Sequence, residues 1–133
     1  MLRMTRGEDV LPTLTDFCKR KGILSGSFRA IGAVMDSKIG YYDLAAKQYG
    51  SKYYADEMEV AAMTGNIAQV DGEPFIHAHA VLSSIKAGAE NQPAGGHVFE
   101  AKVAVTLEIH LVAFNEKISR ELDDDIGLKL LNL

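Results

Sequence analysis

Phe75-Ile76-His77-Ala78-His79-Ala80-Val81-Leu82-Ser83-Ser84-Ile85 has the apolar and β-branched make-up of a strand. A turn signal, Asp71-Gly72-Glu73-Pro74, stands in front of it: Gly accepts a positive φ and Pro fixes its own. Behind it comes Lys86-Ala87-Gly88-Ala89-Glu90-Asn91-Gln92-Pro93, with the polar, Gly and Pro content of a hairpin connection. Side chains two apart on a strand share a face. His77 and His79 therefore project together, while Ala78 and Ala80 project the other way and are small enough for close packing behind the pair.

The same reading extends outward from this stretch. Phe28 to Val34, Lys38 to Asp43, Glu57 to Met63, Ile67 to Val70 and Val98 to Phe114 are the other expected strands, with Gly, Asp, Asn and Lys clusters between them. Ahead of them lies a short strand-like start and then one helix, over 9 to 21. Val10, Leu11, Leu14, Phe17 and Cys18 line one face of that helix, Asp9 caps it, and Pro12 falls in the first turn, where a missing N–H is harmless. Lys19, Arg20 and Lys21 before Gly22 form the expected C-terminus. The end, Gly127-Leu128-Lys129-Leu130-Leu131, is too short to assign. A run of strands after one early helix predicts an α+β fold: a mainly antiparallel twisted sheet with one long N-terminal helix, a single compact domain over 1–133.

Composition narrows the functional classes. The chain has 133 residues, 47% hydrophobic and 24% charged, enough for a core without disulfides or a structural metal. No apolar run approaches the ~20 residues of a membrane span, and no signal-peptide pattern opens the chain, so a cytoplasmic protein is expected. Cys18 is the only cysteine, which excludes an intrachain disulfide; on the helix face it reads as a small buried thiol. A net charge of −4 argues against nucleic-acid binding by this chain alone. Tyr41, Tyr42, Tyr49, Tyr53 and Tyr54 form an aromatic cluster that reads as packing or a subunit interface.

The histidines carry the chemistry. A His-x-His pair alone is a modest signal and reads first as a structural or exposed pair. A hairpin centred near Gly88 and Ala89, however, would return His97 to the level of His79, and Gly95 and Gly96 beside it free the backbone. His77, His79 and His97 are thus the expected ligands of one divalent transition metal, zinc in the first place. Three neutral imidazoles leave an open position, the usual recipe for catalytic zinc. Glu108 is the candidate acid/base or supporting residue, although alternation from His97 puts it on the opposite face unless a β-bulge intervenes. Arg29, a charge among Phe28, Ala30, Ile31 and Val34, is a candidate for binding an anionic substrate or for an ion pair at an interface. Asp123-Asp124-Asp125 reads as a solvated turn.

Several segments in order resemble the PPC (plants and prokaryotes conserved) domain family: Arg6-Gly7-Glu8-Asp9-Val10, Ala30-Ile31-Gly32-Ala33-Val34, Gly40-Tyr41-Tyr42-Asp43, Thr64-Gly65-Asn66-Ile67, His77-Ala78-His79 and Gly95-Gly96-His97-Val98. The resemblance implies a homo-oligomer, most simply a trimer. Plant members join the domain to an AT-hook arm that this chain lacks. Where they carry a Gly-Arg-Phe-Glu-Ile-Leu recruiting stretch, this chain has Asp56-Glu57-Met58-Glu59-Val60-Ala61, so transcriptional regulation is not carried over. A more distant resemblance in fold connects the family to acetolactate decarboxylase and to a zinc-dependent ester hydrolase.

Two functions from different classes follow. One is a metal-binding oligomer that binds or turns over a small carbonyl or carboxylate compound. The other is a non-enzymatic trimeric regulatory or DNA-associated module whose histidine cluster is structural. The residues name no substrate.

Overall fold

Four long strands, Gly26–Asp43, Met58–Val70, Glu73–Ser83 and Ala94–Ala113, pair in a circuit that returns to its start, and the one helix among the described residues lies across the weakest seam of that circuit. The computed structural model describes residues 1–84 and 93–133. Its elements run β1 (Leu2–Thr5), α1 (Val10–Lys21), β2 (Gly26–Asp43), β3 (Gln48–Tyr54), β4 (Met58–Val70), β5 (Glu73–Ser83), β6 (Ala94–Ala113), β7 (Ser119–Asp123) and β8 (Leu128–Asn132). All named strand pairs are antiparallel except the single parallel bridge between β4 and β7, Gln69 to Ser119.

The α+β class and the mainly antiparallel sheet hold, but the expected long N-terminal helix is corrected. It is 12 residues and follows β1. Gly22 stops it in the left-handed conformation (φ 67°), donating its N–H to Lys19, while the Ile23 N–H reaches the Cys18 carbonyl. Asp9 occupies the N-cap position without a side-chain capping bond. Val10, Leu14 and Cys18 are fully buried, and burial pushes the Cys18 thiol up to about 11, as a packed and unreactive cysteine requires.

Strands β2 and β4 are longer than expected, whereas β5 ends at Ser83 and Ile85 lies outside the described residues. Phe28–Val34 and Lys38–Asp43 are parts of one strand, β2, whose register against its neighbours shifts around Gly32 and again before Lys38 and Ile39. Gly32 sits at φ 143°, where a Cβ would strike the Thr106 carbonyl. The expected strands Glu57–Met63 and Ile67–Val70 likewise merge into β4, which begins at Met58, after Glu57, and runs through Gly65 against the Phe28 ring. The Asp71-Gly72 turn, both residues at positive φ, joins β4 to β5 as a two-residue hairpin.

β5 shows how the core positions the site. Ile76, Ala78, Ala80 and Leu82 face inward to join Val98, Leu107, Ile109 and the helix residues, while Phe75, His77, His79 and Val81 alternate outward. Buried and functional positions interleave on one strand. Only His79–Leu82 of β5 pairs with Ala94–His97 of β6. Beyond that short ladder, α1 covers the gap between these strands.

The β7–β8 hairpin attaches at the far side of β4 through the Gln69 N–H to the Ile118 carbonyl and the Ile118 N–H to the buried Ser25 hydroxyl. Asp123-Asp124-Asp125 lies at its turn, as expected of a solvated turn, with the Asp123 carboxylate accepting from the Ile126 N–H.

Candidate metal centre

His79 and His97 stand directly opposite each other across the β5–β6 ladder, and His77 lies two residues back on the face of His79. Ring centroids are 5.1 Å apart for His77–His79, 4.9 Å for His77–His97 and 5.6 Å for His79–His97. One nitrogen from each ring forms a set lying within 4.8 Å of one another. His97 therefore returns to His79 as the sequence implies, whereas the expected turn at Gly88 and Ala89 lies outside the described residues.

Of the two glycines before His97, one is indispensable. Gly96 has φ 149°, and a Cβ there would strike the Gly40 carbonyl. Gly95 would accept a Cβ at ordinary contact distance. The close approach of β6 to Gly40 of β2 sets His97 against Tyr49 (centroids 5.1 Å) and Phe99 (4.7 Å), and Tyr49 in turn packs on Tyr42 and Phe99. Tyr49, backed by Tyr42, thus walls one side of the histidines, whereas Tyr53 bonds to Asp36 and Tyr54 lies under Lys52.

Arg120 is the residue that sequence reasoning missed. It reaches from β7 across β4 and donates from Nη2 to Asn66 Oδ1 (2.7 Å) and from Nη1 to the Lys129 carbonyl (2.9 Å). Nη2 also lies 3.1 Å from His77 Nδ1. A guanidinium has no acceptor, so His77 Nδ1 must accept that bond. The Arg120 group lies over the Phe75 ring, 5.6 Å from its centroid. Its proximity to His77 depends on the pairing of distant strands, which leaves no local pattern in the sequence.

Burial, then the Arg120 charge, then the neighbouring histidines push His77 down to about 4; burial first, then His79 and Arg120, also lowers His97. Both are neutral imidazoles at neutral pH, the form that binds metals. The unfolded chain has an ordinary imidazole near 6.5 and so takes up a proton that folded His77 refuses. This contribution to stability is complete above about pH 6.5 and is lost as pH falls toward 4. The metal-free protein should show a melting temperature that drops across this window, with a shallower drop in His77→Asn. Equal slopes for the two proteins would refute it.

Glu108 and Arg29 do not join the histidines. Glu108 pairs with Ile31, and Arg29 with His110 and Thr64, at the other end of β2 and β6. Eleven residues at the strand rise put Glu108 about 35 Å of chain from His97, so the register shifts that do occur cannot bring it back. Arg29 is exposed, so the expected burden of a charge among apolar neighbours does not arise. The two residues instead line, with Ile31, Met63 and His110, a separate cavity of about 430 Å³.

The Plants and Prokaryotes Conserved (PCC) domain matches residues 1–115, and the chain belongs to that family. Three solved structures are similar over 99% of this chain. A PPC protein from Pyrococcus horikoshii is 34% identical (TM-score 0.88, 89% of that chain), and a metal-containing protein from Archaeoglobus fulgidus is 33% identical (0.87, 91%). A Ralstonia eutropha protein provisionally assigned to DNA binding is 32% identical (0.86, 89%). Among proteins of curated function, none matches significantly. No described helix is long and apolar enough to cross a membrane.

Proposed function

We propose that this PPC-domain protein holds one divalent transition metal, zinc in the first place, on His77, His79 and His97, and binds or turns over a small carbonyl or carboxylate compound beside them. The observation that carries the reading is the convergence of three imidazole nitrogens within 4.8 Å on the outward face of β5 and β6. Two further features fit a metal. His97 Nδ1 is buried without a hydrogen-bond partner, and burial keeps His77 and His97 neutral. A tetrahedral ion holds its nitrogens about 3.4 Å apart, within reach of these rings by side-chain rotation. The metal-containing relative from Archaeoglobus fulgidus supports the same reading.

A divalent ion on three neutral imidazoles would supply a Lewis acid with room for one exogenous ligand. The chain's own contribution is orientation and exclusion of water. Tyr49 and Phe99 wall His97, and Arg120 places a positive charge beside His77. Glu108 and Arg29 have no part in this site.

Homo-oligomerisation, most simply as a trimer, belongs to the same proposal, as does a cytoplasmic location. Ile31, Tyr41, Val81, Val105 and Val112 are all exposed by 45% or more, an apolar surface that another copy would cover. A nucleic-acid role is not proposed, because the net charge of −4 supplies no field for phosphates.

One experiment separates this reading from a structural cluster. Chelation should abolish binding of a small oxyanion while light scattering still reports the oligomer mass. Dissociation or a large fall in melting temperature on chelation would instead make the cluster structural, and a monomer before chelation would end the assembly proposal.

A further inference from the structure

Arg120 carries a positive charge whose recorded partners are all neutral: the Asn66 amide oxygen, the Lys129 carbonyl and His77 Nδ1. Among the described residues no carboxylate pairs with it, although the side chain is partly buried, and its Nε is buried without any partner. A desolvated cation that lacks an anion is an expensive arrangement. Its position beside the histidines explains what would complete it.

The bond from Arg120 Nη2 to His77 Nδ1 cannot coexist with an ordinary neutral histidine ligand. If Nδ1 is the ligating atom, its lone pair is no longer available to Arg120. If Nε2 ligates, the neutral ring carries its proton on Nδ1, and two N–H groups would face each other. In both cases Nη2 must leave His77 when the site is loaded, while Nη1 stays anchored on the Lys129 carbonyl and the guanidinium stays over Phe75. One N–H is thereby freed beside the histidines. Three neutral ligands also leave the ion's two charges unneutralised, adjacent to a third on Arg120.

We propose that Arg120 is the anion-binding residue of this centre, so that the site takes up its metal together with a carboxylate or similar oxyanion, one oxygen in the open position beside the histidines and another on the Arg120 guanidinium. This rests on the metal reading above. It adds a ligand class, anionic and not neutral, and a reciprocal coupling: the anion tightens the metal by the factor by which the metal tightens the anion.

The test measures zinc affinity by competition with a chromophoric chelator in a non-coordinating buffer, with acetate, with its neutral isostere acetamide, or with neither. Acetate should tighten zinc by roughly tenfold or more in the native protein, and acetamide should not. Arg120→Gln should bind zinc alone at least as tightly as the native protein, since a competitor for His77 and a repelling charge are both gone, yet lose the acetate effect. Arg120→Lys keeps the charge without the fork, so it should retain only part of the effect, and it serves the same comparison if the glutamine variant does not fold. Zinc binding without acetate coupling, or with coupling unchanged in both variants, overturns the assignment of Arg120 and leaves the metal reading standing. Failure of the native protein to bind zinc at all sinks both.

Discussion

Replacing any one of His77, His79 or His97 by alanine is expected to lower bound metal from about one ion per chain to below about a tenth, in protein purified without a tag or chelator. The expectation is strong because three ligands are the minimum set for such a site. A two-histidine remnant competes poorly with buffer and water. The fold should survive each change. His77 and His79 alternate outward from a core built by Ile76, Ala78, Ala80 and Leu82, and alanine there leaves that core untouched. Elemental analysis beside circular dichroism checks both halves. Unchanged metal in His97→Ala, or metal loss only where the protein also unfolds, would remove the site.

Gly96→Ala should have a large effect on stability, a loss of about 3 kcal/mol or more. Two independent penalties meet at this position. Its φ of 149° lies where side chains are rarely tolerated, and the added methyl group would strike the Gly40 carbonyl, a backbone atom that no rotamer change can move. β6 would have to draw back from β2 at the residue before His97, so metal content should fall with stability. Gly95→Ala is the internal control: a Cβ there meets the Ala80 carbonyl at 3.6 Å and Val81 at 3.7 Å, ordinary contacts. Chemical denaturation of the two variants decides the matter, and similar losses in both would mean that the clash at Gly96 relaxes without penalty.

The contrast between these neighbours shows where the sequence is legible and where it is not. Gly95-Gly96 announces that the backbone does something unusual before His97, but only the approach of β2 says which glycine does it. The strand character of 75–83 follows from its residues, and so does the helix, with its stop at Gly22. The fusion of Phe28–Val34 with Lys38–Asp43 does not, because a strand that shifts register near a glycine looks from its sequence like two strands with a gap. β3, β7 and β8 are exposed along much of their length, so they lack the alternation that marks a half-buried strand. Chemistry favours Glu108 as a partner of the histidines and alternation argues against it, yet distance along β6 is what excludes it. Alternation reports a face and says nothing of how far along that face a residue lies.

The three clustered histidines and the core share strands letter by letter: His77 before the buried Ala78, His79 before Ala80, His97 before Val98. For anyone redesigning the protein, this separates two alphabets within one text. A library that varies 75, 77, 79, 81 and 97 while holding the even positions and Gly96 would explore new side-chain sets on the outward face of a scaffold whose folding instructions had not been edited.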